Sequence, residues 1–419
     1  MIFDDFSAYL LPSTWIFALL FNNKLSIWNF RELRSMLLHS RFAHVNKGSN
    51  KSTLNGQKEA LTHSQESGSQ TMLEIGDSAP SGHKSARTTM TTKASTTTVD
   101  LTAIINAGGK HVRAKDDDRI IEYSVNGSTR ADAHVVVSAY ISEHWTHPEP
   151  WDESYQDLNI KHITISLPGL GNSSRNPGYK ISEWPKTDLK PVLEAEKVDK
   201  FIIWGGGGGG CLHALAVAQQ FPKRVLSLGL RAPYLPLRVS KEYNLPRGQE
   251  EFPTTQELED NTFKAMAFRF YVDTMGVPFV LAEPGSRTAY FMEHGCLGAN
   301  YKDMARFTKD HPKEMASIQS RFSDGAISTD GILYSMAKDV ALDCPGVDIP
   351  SIQLAGDHMV VWYGDDDSTC PPSHGKYLAD LFEARWTRAF NGYGHLGACL
   401  LDMNVFFHRL IESTRKDED

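Results

Sequence analysis

Cysteine is scarce in this chain: five residues in 419, at Cys211, Cys296, Cys344, Cys370 and Cys399. They are odd in number, scattered, and form no C-x-x-C pair, which excludes a disulfide framework and a cysteine zinc site. Reduced thiols in an intracellular, cytoplasmic compartment fit that usage. Basic charge is also short. Forty-three Lys and Arg stand against 51 Asp and Glu, for a net charge of −8, so nucleic acid is not an expected partner. A phosphate-gripping G-x-x-x-x-G-K-[ST] sequence is missing, so the chain's glycine-rich stretches are not nucleotide loops. No apolar run reaches the ~20 residues that a membrane-spanning helix needs. The longest candidate, residues 8–21 (AYLLPSTWIFALLF), is broken by Pro12, Ser13 and Thr14. Asp4 and Asp5 precede it where a secretory signal would carry positive charge. Lys24, Arg31, Arg34 and Arg41 follow it, leaving this stretch a candidate targeting or membrane-surface segment.

What is present is a globular composition, 41% hydrophobic and 22% charged, with length for one large domain plus additions. Residues 46–98 are dense in Ser and Thr and have little to bury, so 1–98 reads as a largely disordered extension. From residue 99 short apolar runs alternate with helical patterns. RIIEYSVNG (119–127), HVVVSAY (134–140), HITISLPGLG (162–171), FIIW (201–204) and RVLSLGLRAP (224–233) read as strands, and 183–198 and 211–221 as helices. Such alternation predicts an α/β domain with a parallel sheet. Residues 236–345 lack short β runs and carry Phe, Met, Glu and Lys at helical spacing, which predicts a helical insertion. The sheet then resumes over 346–419 with HMVVWYG, a helix at SHGKYLADLF and a strand at ARWTRAF.

Parallel sheets place ligands at the C-terminal ends of their strands. Three such ends carry chemical character here: six glycines, Gly205 to Gly210, after FIIW; GDDDSTCPP after HMVVWY; and NGYGHLG after ARWTRAF. In this order, together with the LPGLGNS turn at 167–173, they resemble the α/β-hydrolase family with a helical cap, over residues 100–415. The resemblance implies an α/β-hydrolase fold: a mostly parallel central sheet flanked by helices, split into 99–235 and 346–419 by a cap at 236–345. It implies hydrolysis of a small ester, amide or lactone-like substrate by a Ser-His-Asp triad, with no cofactor and no metal. Asp367 is the implied acid, with Asp365 and Asp366 as alternatives, and His395 of Gly392-Tyr393-Gly394-His395 is the implied base.

The glycine run occupies the place of the family's G-x-S-x-G nucleophile elbow. Ala214, Leu215 and Pro222 downstream fit an elbow at Gly208, with Gly206 and Gly210 as its flanking glycines; Gly207 is the alternative register. Either way the nucleophile is missing, since glycine has no side chain with which to attack. The oxyanion hole is expected from the amides of Gly209 and Tyr140, although Ser138-Ala139 replaces the family's His-Gly at that strand end. Cys211 and His213 read as packing residues of the helix. His144, His147, Glu143 and Glu149 read as a solvated loop rather than a zinc site. A stripped hydrolase, a pseudoenzyme that binds a small molecule, a His-Asp pair activating water directly, and an interaction protein acting through residues 1–98 all remain open. The oligomeric state is not fixed by the sequence.

Overall fold

FIIW is apolar at every position, and the strand it forms is buried along its whole length. A strand covered by helices on both faces has no reason to alternate. The computed structural model describes residues 101, 104, 109–115, 118–140, 151–176, 178–246, 252–272, 298–323 and 329–414. Eight strands form one sheet: β1 (Lys110–Arg113), β2 (Ile120–Gly127), β3 (His134–Tyr140), β4 (Ile160–Ile165), β5 (Phe201–Gly206), β6 (Val225–Arg231), β7 (Met359–Gly364) and β8 (Trp386–Phe390). Their order across the sheet is β1-β2-β4-β3-β5-β6-β7-β8. The pairs β1–β2 and β2–β4 are antiparallel. Every pair from β4 to β8 is parallel. This is the α/β-hydrolase arrangement.

Twelve helices in the described residues bear on the site and its frame. α1 (Asp152–Asp157) precedes β4, and α2 (Lys190–Ala195) continues a tighter turn that begins at Pro185. The helix expected over 183–198 is thus split between two geometries, with Pro191 in the first turn of α2, where its missing N–H costs nothing. α3 (Gly207–Gln220) starts directly at the end of β5. The described residues between 236 and 345 hold helices and no strand: α4 (Leu237–Glu242), α5 (Thr255–Glu259), α6 (Phe263–Tyr271), α7 (Gly298–Asp310), α8 (Pro312–Ser323) and α9 (Thr329–Ser335). α10 (Pro372–Leu381), α11 (His395–Leu400) and α12 (Met403–Glu412) complete the chain. HITISLPGLG is a strand only to Ile165, and the Pro168–Gly171 stretch turns away where its Pro and Gly break the run.

The core under the C-terminal half of the sheet is aromatic. Trp204, Trp362, Phe406 and Phe407 are buried and meet edge to face. Arg231, at the end of β6, is fully buried among them. Its guanidinium lies over the rings of Phe406 and Trp362, at 4.9 and 5.1 Å from their centroids. It donates to the carbonyls of Ala398 and Leu401 at 2.8 and 2.5 Å. A cation buried this deeply is tolerable only with such partners, and here it grips the C-terminal end of α11. Among the described residues no helix is long and apolar enough to cross a membrane. Residues 8–21 lie outside the described residues, as do His144, His147, Glu143, Glu149 and Cys296.

Candidate active site

The glycine run divides between strand and helix, and its members have different duties. A Cβ on Gly205 would meet the Gly210 carbonyl oxygen at 2.2 Å, so no other residue lets α3 leave β5 at this angle. Gly206 is extended, with φ −114° and ψ 139°. Gly207 has φ +67°, the left-handed conformation of a strand-to-helix elbow. A Cβ on Gly207 would stand 3.4 Å from Nε2 of His395. A Cβ on Gly208 would instead press against Tyr234, 2.9 Å from its Cβ. Gly207, the alternative register, rather than Gly208, has the positive φ and the Cβ direction toward His395 expected of an elbow residue, with Gly205 and Gly209 two residues to either side. The Pro222 spacing misled by one residue: a run of identical glycines carries no mark of register, and a helix end downstream can shift. The amide that follows the elbow is likewise that of Gly208, not Gly209. Tyr140 ends β3 directly beside Gly206 in the sheet register.

Asp367 and His395 meet. His395 Nδ1 lies 3.0 Å from Asp367 Oδ2, and the Asp367 side chain is inaccessible to solvent while that of His395 is 27% exposed. The other carboxylate oxygen accepts the N–H groups of Thr369 and Cys370, each at 2.8 Å. The carboxylate is thereby fixed, and its bond to Nδ1 leaves Nε2 over Gly207, with the Cys399 thiol 3.9 Å away. Burial acts to lower the His395 pKa; Cys399, Asp367 and Cys370 around the ring outweigh it and hold it well above the ordinary histidine range. Asp365 and Asp366 are exposed, and Asp365 accepts from Gly392 N at 2.6 Å in the turn after β8. They do not reach the imidazole's partner position, which Asp367 fills.

A carboxylate from the insertion holds the histidine turn. Asp303, on α7 and 6% exposed, accepts from Gly394 N and Leu396 N at 2.8 Å each and from Gly397 N at 3.1 Å. Three charge-assisted bonds at the start of α11 complement the amides there, while Arg231 binds the carbonyls at the other end. Asp303 was not legible in the sequence. Nothing marks one acid of an amphipathic helix as facing a turn 91 residues away.

Cys211 and His213 sit as expected of packing residues. The Cys211 thiol is buried against the carbonyls of Gly205 and Arg231, and burial pushes its pKa well up. His213 Nδ1 donates to Gly209 O at 2.6 Å, Nε2 accepts from Tyr179, and burial lowers its pKa to about 4. Asp367, Cys370 and His395 offer ligand atoms within 4.8 Å of one another. Of the Asp367 oxygens, one accepts two backbone N–H groups and the other bonds His395 Nδ1.

A cavity of about 160 Å³ opens over these residues. Gly206 to Gly209, Thr369, Cys370 and His395 form its floor and one wall. Leu212, Tyr234, Phe252, Met336 and Leu342 make the rest apolar, three of them from the insertion.

No protein-family model and no curated protein matches the sequence. Solved structures do. An N-acyl homoserine lactone degrading enzyme is 17% identical, with a TM-score of 0.44, over 71% of this chain and 99% of its own. An enol-lactonase from Burkholderia xenovorans is 14% identical, with a TM-score of 0.45, over 73% of this chain and 99% of its own. An esterase from a Rhodococcus species is 16% identical, with a TM-score of 0.46, over 73% of this chain and 98% of its own. With its eight-stranded sheet, its elbow between β5 and α3 and its two later loops at neighbouring strand ends, the chain has the α/β-hydrolase fold.

Proposed function

We propose that this cavity is a hydrolase site of the Ser-His-Asp type in which the nucleophile's place is held by Gly207. Its ligands are small ester-, amide- or lactone-like molecules whose apolar part packs on Leu212, Tyr234, Phe252, Met336 and Leu342. The observation that carries the reading is the backbone at Gly207: φ +67°, with the missing Cβ aimed at Nε2 of His395 from 3.4 Å. A serine hydroxyl there would lie within reach of Nε2, the atom that takes its proton during attack. Asp367 holds the imidazole in the required tautomer and stabilises its charged form. The Gly208 amide at the start of α3, and the Tyr140 backbone beside Gly206, are the donors for the developing oxyanion.

In the chain as it stands the serine route is closed. Loss of a triad nucleophile costs on the order of 10⁶ in turnover, while binding and oxyanion stabilisation persist. The reading is tested by Gly207→Ser. It is expected to raise p-nitrophenyl acetate hydrolysis by about 10³-fold or more over the parent. Gly208→Ser, whose side chain meets Tyr234, is expected to leave it unchanged. A Gly207→Ser protein that folds and stays at the parent's rate contradicts the reading.

A further inference from the structure

The cavity holds one nucleophile that a serine triad does not use. Cys370 lies three residues beyond Asp367, just before α10, is 3% exposed, and lines the cavity. Its backbone is fixed by the same carboxylate that holds His395, through the 2.8 Å bond from Cys370 N to Asp367. Its Sγ lies within 4.8 Å of a ring nitrogen of His395 and of an Asp367 oxygen. It also lies 3.6 Å from where a Cβ on Gly208 would stand, beside the start of α3. The other described thiols are placed differently. Cys211 is bound to two carbonyls, Cys344 is buried outside this cavity, and Cys399, within α11 and 3.9 Å from His395 Nε2, does not line the cavity.

Geometry and chemistry then combine. An elbow side chain at 207 would occupy the space between His395 and the bound carbonyl. Glycine leaves that space empty, so a carbonyl carbon seated over Gly207 and Gly208 has the Cys370 sulfur at its side. Burial pushes the thiol up to about 11, so it is protonated at neutral pH and needs a neighbouring base to attack. His395 in its neutral form is that base, and because its pKa is held well above the ordinary histidine range the acetylation is expected to speed up as pH rises above neutral. This step rests on the reading of His395 and Asp367 as a working acid–base pair.

We propose that Cys370 is a covalent acyl acceptor for activated small esters, standing in for the absent elbow nucleophile. The Cys370 S–H proton passes to His395 Nε2 as a bond forms from sulfur to the acyl carbon. The bond from that carbon to the alcohol oxygen then breaks, and His395 returns the proton to the departing oxygen. The products are a Cys370 thioester and the free alcohol. Water adds to the thioester through the same base, releasing the carboxylic acid and the restored thiol.

The test uses the full chain and p-nitrophenyl acetate, with rapid acid quenching, intact mass measurement and peptide mapping. The expected result is a burst of one p-nitrophenol per chain and one acetyl group on the peptide carrying Cys370, removable by hydroxylamine. Cys370→Ala is expected to abolish the burst. His395→Ala is expected to slow acetylation by about 100-fold or more, the usual effect of losing a general base. If Cys370→Ala does not fold, mapping of the acetyl group on the parent chain decides the matter alone. Acetylation absent from Cys370, shared evenly with Cys344 or Cys399, or equally fast in His395→Ala overturns the proposal. Hydrolysis by Gly207→Ser in a parent chain that never acetylates would reject Cys370 alone. A Gly207→Ser/Cys370→Ala protein that folds but does not hydrolyse would reject the His395–Asp367 pair itself.

Discussion

The turn that carries His395 and the turn that carries Gly207 face one another across a single cavity, and they are built differently. The histidine turn is held from three directions. Asp367 binds the ring, Asp303 binds three amides at the start of α11, and the buried Arg231 binds two carbonyls at its end. The elbow has no side chain to hold. Its shape follows from two backbone demands, the contact of Gly205 with Gly210 and the positive φ of Gly207. The difference teaches that the base side of the site does not depend on the nucleophile side for its geometry. On the proposed reading, a glycine at the elbow removes an attacking atom and leaves the proton acceptor held, with the Cys370 thiol lining the same cavity.

That contrast can be broken from the well-held side. In a Gly207→Ser background, Asp367→Asn is expected to cut hydrolysis by about 10⁴-fold, because the amide cannot hold the imidazole in the tautomer that leaves Nε2 free. Steady-state rates with p-nitrophenyl acetate measure it, and a loss below tenfold would place the acid elsewhere in the loop. Asp303→Ala should act more gently on rate and more strongly on stability. It strands three amides of the histidine turn, at about 1–3 kcal/mol for each buried group left without a partner. Chemical denaturation should show the loss, and kcat in the Gly207→Ser background should fall by more than KM rises, since the turn carries the base and not the binding surface. Unchanged kcat would make Asp303 a clamp of the fold alone.

The middle of the sheet was legible because strands such as β5 are buried on both faces and read as unbroken apolar runs, whereas the edge strand β1, half-exposed and charged at both ends, was not. Asp367 and His395 were legible because each follows a glycine-bearing turn at a strand end. The elbow was legible as a place and not as a residue. Six glycines mark a turn strongly, yet they share one side chain, and only φ and the direction of an absent Cβ separate Gly207 from Gly208. Asp303 and Cys370 were not legible as site residues. Their roles arise from contacts made across the fold, with α7 against the histidine turn and the acid loop against α3, and a single sequence encodes those only through the whole structure.

The smallest expected effect concerns the elbow's own stability. A side chain at φ +67° costs about 1–3 kcal/mol that glycine avoids. Gly207→Ser should therefore melt a few degrees below the parent, as differential scanning calorimetry would show. An unchanged or higher Tm would mean that the new hydroxyl offsets the strain by bonding His395.

The most direct measurement of the central claim is covalent labelling of the serine variants with a p-nitrophenyl phosphonate, mapped by peptide mass. If Gly207 is the elbow and His395 its base, Gly207→Ser takes up one phosphonyl group on the peptide spanning position 207. Gly208→Ser takes up none there, and His395→Ala in the Gly207→Ser background suppresses the label. Labelling of Gly208→Ser with an inert Gly207→Ser, or labelling that persists without His395, would contradict the account.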